Sequence, residues 1–164
     1  MKFLVCRLIS SFPMPLHIHE LGHIVLYVAN LERSAKFYRE VLGWKSLGRP
    51  GEFKAEAFSS GRTHHELLLI EVGEEAEPLN KGHRLGLYHF GLKVGDSDED
   101  LKEALRVLQE AEVPLIGATD HTVTHSLYIE DPDGNEIELY IDVPGVDWKE
   151  DPDLFFSPGK RLKL

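Results

Sequence analysis

Cysteine and basic residues are scarce in this sequence, and each shortage excludes a class of protein. The 164 residues include one cysteine, Cys6, so no disulfide can form within the chain. This is typical of a reducing compartment and predicts a cytoplasmic protein. Lys and Arg number 18 against 28 Asp and Glu, which gives a formal net charge of −10. No basic patch stands out, which argues against a nucleic-acid partner and against an anionic membrane surface.

Long apolar runs are missing as well. No stretch reaches the roughly 18 residues that a membrane-spanning helix needs. The opening MKFLVCRLISSFPMP is interrupted by Arg7, so it is too short and broken for a secretion signal. We interpret residues 1–19 as an N-terminal lead-in to an ordinary globular protein.

An internal repeat organises the rest of the chain. The segment HIVLYVANLERSAKFYREVLGW from His23 is similar to HFGLKVGDSDEDLKEALRVLQE from His89, which lies 66 residues later. Each copy reads as a strand, a helix-capping residue (Asn30 or Asp96) and an amphipathic helix. The sequence therefore predicts a duplicated module that begins with a histidine at the start of a strand.

Three short strand candidates follow each helix, separated by turn residues such as Gly61 and Gly134. They are residues 44–48, 53–59 and 65–72 in the first half and 114–118, 124–130 and 136–142 in the second. Each half thus has the order βαβββ. We predict an α+β fold in which two tandem βαβββ modules form one open barrel-like metal site between their curved sheets.

The domain organisation follows from the same pattern. The first module is predicted to span residues 20–72 and the second residues 85–142. A charged linker, residues 73–84, joins them. The tail, residues 143–164, is expected to pack on the body through its apolar side chains Trp148, Leu154, Phe155 and Phe156.

The later strands of the two modules also align. When FSSGRTHHELLLI is laid over DPDGNEIELYI, Gly61 matches Gly134 and His65 matches Glu138. Neighbouring strand residues point to opposite faces, so His65 would face inward with Glu138 while His64 faces solvent. His23, His65, His89 and Glu138 could then converge on one point.

Such a set is typical of a metal site. Two imidazoles and a carboxylate with open positions suit Fe(II) and other first-row divalent ions, and no thiolate is at hand for a structural zinc. Taken singly, a histidine that opens a strand is more often a packed residue than a ligand. Glu136 and Glu138 share a strand face, so alternation does not decide whether Glu138 points inward.

The motifs LGHIVLYV, RTHHELLL, LYHFGLKV, DHTVTHSLY and DPDGNEIELY together resemble the vicinal oxygen chelate superfamily. Within it the chain is most similar to the type I extradiol ring-cleaving dioxygenases of the catechol 2,3-dioxygenase type, in a form with two modules. The resemblance covers residues 20–142. It implies a non-haem Fe(II) enzyme that cleaves a catechol-type ring with O₂.

The same resemblance assigns roles to individual residues. His23, His89 and Glu138 correspond to the iron ligands, and His65 to the acid–base histidine. His121 corresponds to a histidine near the substrate, and Tyr128 to the tyrosine that hydrogen-bonds a substrate hydroxyl. Mn(II) is an alternative metal, and the expected partners are a small aromatic diol, O₂ and further copies of the chain in a dimer or larger homo-oligomer. We interpret His17, His19, His83 and His125 as surface residues.

Other functions on the same fold stay open at this point. A glyoxalase-like lyase or isomerase usually carries a carboxylate in both modules, where this chain has His65, and Glu71 lies too far along the strand to replace it. A drug-binding protein of the bleomycin-resistance kind needs no metal set, and a fosfomycin thiol transferase shares the His, His and Glu ligands.

Overall fold

A computed structural model describes residues 16–49 and 51–164 of the chain. Most of the predicted lead-in, including Cys6, lies outside these residues. The first module contains four strands, one helix and a short π-helical turn. The strands are β1 (Ile24–Val28), β2 (Lys45–Gly48), β3 (Ala55–Ser59) and β4 (Leu67–Glu71). The helix α1 (Leu31–Lys36) continues directly into the π-helical turn Phe37–Val41.

The second module repeats this order. Its strands are β5 (His89–Gly95), β6 (Gly117–Asp120), β7 (Thr124–Glu130) and β8 (Glu136–Asp142), and its helix is α2 (Asp98–Glu110). The α+β fold with two βαβββ modules is therefore confirmed. The boundaries of the five segments along the chain stay a prediction. The strand expected at residues 114–118 begins later, because Gly117 is the first residue that pairs with β7.

Each module forms its own sheet. The first sheet has the strand order β1-β4-β3-β2, and the second has β5-β8-β7-β6 with a short strand β9 (Lys160–Arg161) added at its edge. β1 runs parallel to β4 and β5 runs parallel to β8, while the remaining neighbours are antiparallel. The two sheets do not close into a barrel.

The helices begin at polar caps that satisfy free backbone N–H groups. The Asn30 side chain accepts a hydrogen bond from the N–H of Arg33, as predicted. The cap of α2 was predicted to be Asp96, but it is Ser97, whose hydroxyl accepts from the N–H of Asp100. The Asp100 carboxylate accepts in return from the N–H of Asp96, which satisfies a second group at this end.

The core lies between the helices and the helix-facing side of the sheets. Alternate strand residues point to this side, because side chains alternate along a strand. They include Leu26, Val28, Leu67, Leu69, Leu127, Ile129, Ile137, Leu139 and Ile141. Buried Leu101 and Leu108 contribute one face of α2. The opposite faces of both sheets stay open, and these open faces carry the candidate site.

The C-terminal tail attaches differently from the expectation. β9 pairs with β6 through Thr119 and Asp120, and Leu162 packs against the core. The aromatic side chains that were expected to anchor the tail are exposed: Trp148, Phe155 and Phe156. Backbone pairing, and not aromatic packing, holds the tail. No helix in the described part of the chain is both long and apolar enough to cross a membrane.

Candidate metal centre

Two candidate ligands meet on the open face of the second sheet. In the parallel pairing of β5 with β8, His89 lies opposite Glu136 and Gly91 lies opposite Glu138. These four residues share one face because side chains alternate along each strand. The Nε2 atom of His89 is 3.3 Å from Oε2 of Glu138, and both side chains are largely buried.

Hydroxyl groups from β7 hold the other oxygen of Glu138. Ser126 donates to Oε1 at 2.6 Å and Tyr128 donates to it at 3.0 Å. Oε2 is therefore the oxygen that faces His89. Sequence reasoning missed Ser126, although it alternates with Tyr128 on the strand that pairs with β8 and so had to share the face of Glu138.

His121 extends this hydrogen-bonded chain. Its Nε2 atom lies 2.8 Å from the hydroxyl oxygen of Tyr128. Since Tyr128 donates its proton to the carboxylate, it accepts from the Nε2–H of His121. Burial, followed by the charge and the hydrogen bond of Glu138, raises the pKa of Tyr128 well above its usual value. The hydroxyl therefore stays protonated at neutral pH and remains a donor.

The first module brings three histidines together. The rings of His23 and His65 are 4.5 Å apart between centroids, and the rings of His23 and His64 are 6.5 Å apart. The Nδ1 atoms of His64 and His65 lie 2.6 Å from each other. His64 is exposed, whereas His65 is partly buried. Burial, and then the neighbouring His23 and His64, lower the pKa of His65, which favours its neutral, proton-accepting form.

The proposed equivalence of His65 and Glu138 is wrong. In the first sheet Val25 pairs with Leu68, and in the second Gly91 pairs with Glu138. Val25 and Gly91 are equivalent in the repeat, so the position of Glu138 is occupied by Leu68 in the first module. The turn before the last strand differs in length between the two modules. Aligning Gly61 with Gly134 without a gap therefore matched the wrong residues of the strands that follow.

The three candidate ligands do not converge within the described part of one chain. There, no group of three His, Cys, Asp or Glu side chains is placed to hold one ion. His23 lines a groove of about 1030 Å³ between the modules, together with Lys93 and Tyr140. His89 lines a different cavity of about 380 Å³ with His121 and Tyr128.

His89 and Glu138 nevertheless fit one divalent ion. Two donors bound to one ion at about 2.1 Å in adjacent positions lie roughly 3 Å apart, close to the observed separation of 3.3 Å. Glycine at position 91 keeps a side chain out of the space beside them. A Cβ atom at Gly91 would lie 3.1 Å from the Tyr140 ring and 3.6 Å from Oε2 of Glu138.

The remaining histidines divide into two groups. His17, His19 and His83 are exposed, as expected. His125 was expected at the surface, but its side chain is only 18% exposed and its Nδ1 atom lies 2.6 Å from a carboxylate oxygen of Asp98. It points to the helix side of the second sheet, because Ser126 and Tyr128 occupy the open face, and it ties β7 to the start of α2.

Comparisons with known proteins agree on one superfamily. The family model described as the glyoxalase/bleomycin resistance protein/dioxygenase superfamily matches residues 20–139. A catechol-2,3-dioxygenase of Bacillus subtilis (strain 168) is 39% identical over 137 residues, which are 82% of this chain and 46% of that protein. The chain thus spans about half the length of that relative.

A lactoylglutathione lyase of Neisseria meningitidis is 32% identical over 126 residues, covering 71% of this chain and 86% of that protein. The crystal structure of a glyoxalase/dioxygenase from Nostoc punctiforme matches the fold with a TM-score of 0.65 at 24% identity, over 82% of this chain and 98% of that one. With its paired βαβββ modules and these relatives, the chain belongs to the glyoxalase/bleomycin resistance protein/dioxygenase superfamily.

Proposed function

We propose that the protein is a non-haem Fe(II)-dependent extradiol dioxygenase that cleaves a catechol-type ring with O₂. The arrangement of His89, Glu138, Tyr128 and His121 on one open sheet face carries this proposal. The 39% identity to a protein named catechol-2,3-dioxygenase supports it. His23 would be the third ligand, and Mn(II) is the alternative metal, since both ions accept imidazole and carboxylate ligands.

Fe(II), when bound, would supply a cationic centre that favours the deprotonated diol and relays electrons to O₂ from the diol, which is the reductant. His89 and Glu138 would hold the ion from the second module. Tyr128 stays protonated and lines the cavity of His89. When a diol is bound, its hydroxyl would turn from Glu138, to which Ser126 still donates, and donate to a substrate oxygen. His121 would keep that hydroxyl oriented through their 2.8 Å contact.

His65 is the proposed acid–base group. Its lowered pKa leaves the imidazole neutral at neutral pH, so it can accept a proton from a diol hydroxyl. Its contact with His23 places it beside the proposed third ligand. His64 lies against it and is open to solvent, so protons can exchange with water through this pair.

The glyoxalase-like alternative is disfavoured by Leu68. A lyase or isomerase of that kind would be expected to use a carboxylate from the first module, but the position equivalent to Glu138 is apolar. Glu71 does not substitute, because its carboxylate accepts from the N–H of Leu31 at the start of α1. A binding protein without chemistry would not require the ordered contacts around Glu138.

The proposal includes a homo-oligomer in a cytoplasmic setting. His23 and His89 line separate cavities of one chain. Val25 and Tyr27, on the same strand face as His23, are 44% and 70% exposed. A second copy placed against this apolar face would cover it and bring one chain's His23 to the other's His89 and Glu138.

A colour assay tests the function. Protein loaded anaerobically with Fe(II) and catechol should form a yellow ring-opened semialdehyde when O₂ is admitted, with one O₂ consumed per product. Methylglyoxal with glutathione and Ni(II) or Zn(II) should not be turned over. Turnover of that second mixture without ring cleavage would replace the dioxygenase with a glyoxalase-like enzyme.

A further inference from the structure

We infer that Glu136 is a positioning residue for His89: its carboxylate accepts the Nδ1–H of the ring and so leaves the Nε2 lone pair free for the ion. The inference deepens the proposed metal-dependent function and rests on it. It assigns a role to a residue that lies two positions before the candidate ligand Glu138 on the same face of β8.

The first observation is an unpartnered atom. Nδ1 of His89 is fully buried and makes no hydrogen bond within the described residues. A buried polar atom without a partner is costly, and native proteins rarely leave one. The atom 3.3 Å away is Oε1 of Glu136, at hydrogen-bonding distance but out of line with the N–H direction.

The second observation is the strand register. Glu136 lies directly opposite His89 in the parallel pairing of β5 with β8, so the backbone itself holds the two side chains together. The Glu136 side chain is 21% exposed, which limits the water available to replace it as a partner.

The distribution of hydrogen bonds decides which nitrogen carries the proton. Each ring nitrogen of His89 faces a carboxylate, Nδ1 facing Glu136 and Nε2 facing Glu138. Glu138 already accepts from two hydroxyls, which stabilise its charge and make it the weaker acceptor. The proton therefore belongs on Nδ1. Ligand histidines commonly donate their second N–H to a carboxylate, which fixes the tautomer and strengthens the metal bond.

The first module supplies an internal contrast. By the strand registers, Glu66 corresponds to Glu136. Its carboxylate is engaged by the N–H and hydroxyl of Ser60 and lies 3.3 Å from Arg62. The Glu66 carboxylate therefore binds groups of its own turn and not the histidine opposite it. Among the described residues, only the second module pairs the histidine of its first strand with a carboxylate of the neighbouring strand.

Nitrogen NMR tests the tautomer directly and without metal. In ¹⁵N-histidine-labelled metal-free protein, at a pH above the ordinary imidazole pKa of about 6.5, His89 should show protonated Nδ1 and unprotonated Nε2. The signal is assigned by its loss in His89→Gln. In Glu136→Leu the proton should move to Nε2, facing Glu138. A proton on Nε2 in the unaltered protein would overturn the inference.

Metal binding tests the consequence. Metal-free protein is titrated with Mn(II), and the free ion is counted by electron paramagnetic resonance. Glu136→Ala and Glu136→Leu should raise the dissociation constant by about 10–100-fold. Glu136→Gln should recover most of the affinity, because the amide oxygen can still accept the Nδ1–H. Glu130→Gln is the matched control, since Glu130 lies opposite Glu136 on β7 but pairs with Lys81.

Several outcomes would contradict the inference. Unchanged affinity in Glu136→Ala would show that the contact is idle, and equal losses in Gln and Ala variants would make Glu136 itself a ligand. If the Ala and Leu variants do not fold, as judged by circular dichroism, the tautomer of His89 in the unaltered protein still tests the inference by NMR. None of these measurements needs ring cleavage. The NMR and Mn(II) results would therefore test Glu136 even if the colour assay contradicted the dioxygenase proposal.

Discussion

The hydroxyl of Tyr38 donates a 2.8 Å hydrogen bond to the carboxylate of Asp131, and both groups are buried. This bond links the helical segment of the first module to the turn before β8 in the second. Beside it, Asp133 accepts from the N–H of Ala29 and from the hydroxyl of Ser34. The turn bends sharply at Gly134, which has a φ of +85°. The duplicated modules are therefore joined through polar contacts to one turn.

Replacing Tyr38 with Phe should destabilise the protein by about 1–3 kcal/mol, because Asp131 loses a buried hydrogen-bond donor. Urea unfolding monitored by circular dichroism measures the change. Tyr27→Phe is the matched control, since Tyr27 is 70% exposed on the open face of β1. Equal stability of the two variants would mean that the Tyr38–Asp131 bond does not join the modules energetically.

Asp131 should also make stability depend on pH. Burial raises the pKa of Asp131 above its ordinary value, although its hydrogen bonds oppose the shift. The folded state therefore holds this proton more tightly than the unfolded state. The contribution of Asp131 is fully present below the ordinary pKa of about 3.9 and is lost as the pH rises through the raised folded pKa.

Urea unfolding of the unaltered protein and of Asp131→Asn is measured from below about pH 3.9 to neutral pH. The difference between the two proteins isolates the pH dependence due to Asp131, because the other carboxylates are common to both. The free energy of unfolding of the unaltered protein, relative to the variant, should fall as the pH rises. A relative stability that increases with pH would mean that hydrogen bonding outweighs burial at Asp131.

Tyr128→Phe should lower kcat/KM for catechol by roughly 10–100-fold. This is the effect expected when one hydrogen bond from the hydroxyl to a charged substrate oxygen is lost. Metal affinity should change little, because Ser126 still donates to Glu138. Steady-state oxygen uptake and metal titration measure the two quantities. Tyr140→Phe, two residues beyond Glu138 on β8, is the control. A loss of metal in the Tyr128 variant, with unchanged turnover per ion, would contradict the assigned role.

His65→Phe should leave the metal bound and slow ring cleavage by about 10²–10⁴-fold, as expected for loss of a general acid–base group. The metal content of anaerobically purified protein and the rate of product formation check this. His64→Phe, at the exposed neighbour, should cost much less. Loss of the metal from the His65 variant would make this residue a fourth ligand.

Mixing two inactive variants tests whether two chains share a site. His23→Ala and Glu138→Ala each remove one proposed ligand. If His23 of one chain joins His89 and Glu138 of another, mixed dimers contain one intact site, and mixing should restore up to about half the Mn(II) sites per dimer. Sedimentation velocity gives the size of the assembly. A monomer, or no recovery in verified mixed dimers, would argue that each site forms within one chain.

The sequence predicted the modules well because they depend on local signals. The repeat that begins at His23 and His89 identified both first strands, and Asn30 identified the start of α1, since a cap residue acts within one turn. The cap of α2 was misplaced by one residue because Asp96 and Ser97 are both good caps, and the backbone geometry chooses between them. The chain's family also followed from these motifs.

Strand pairing was beyond what the motifs could show. His65 and Glu138 aligned in sequence, yet the register places Leu68 at the equivalent position. A register depends on turn length and on hydrogen bonds between distant strands, which no local pattern records. Alternation places Ser126 on the face of Tyr128 and Glu136 on the face of Glu138. The contacts of Ser126 with Glu138 and of Glu136 with His89 depend on the pairing between strands.

The sequence by itself determined a duplicated βαβββ unit, its histidine-led strands and its superfamily, since hydrophobic period, caps and turn residues act over a few positions. The tertiary structure decided which side chains meet. It placed His89 against Glu138 and His23 against His65. It also placed His23 and His89 in the walls of separate cavities of one chain. Those contacts join segments that are far apart in the chain. They form only when the strands pair and pack in the folded protein, so no local pattern predicts them.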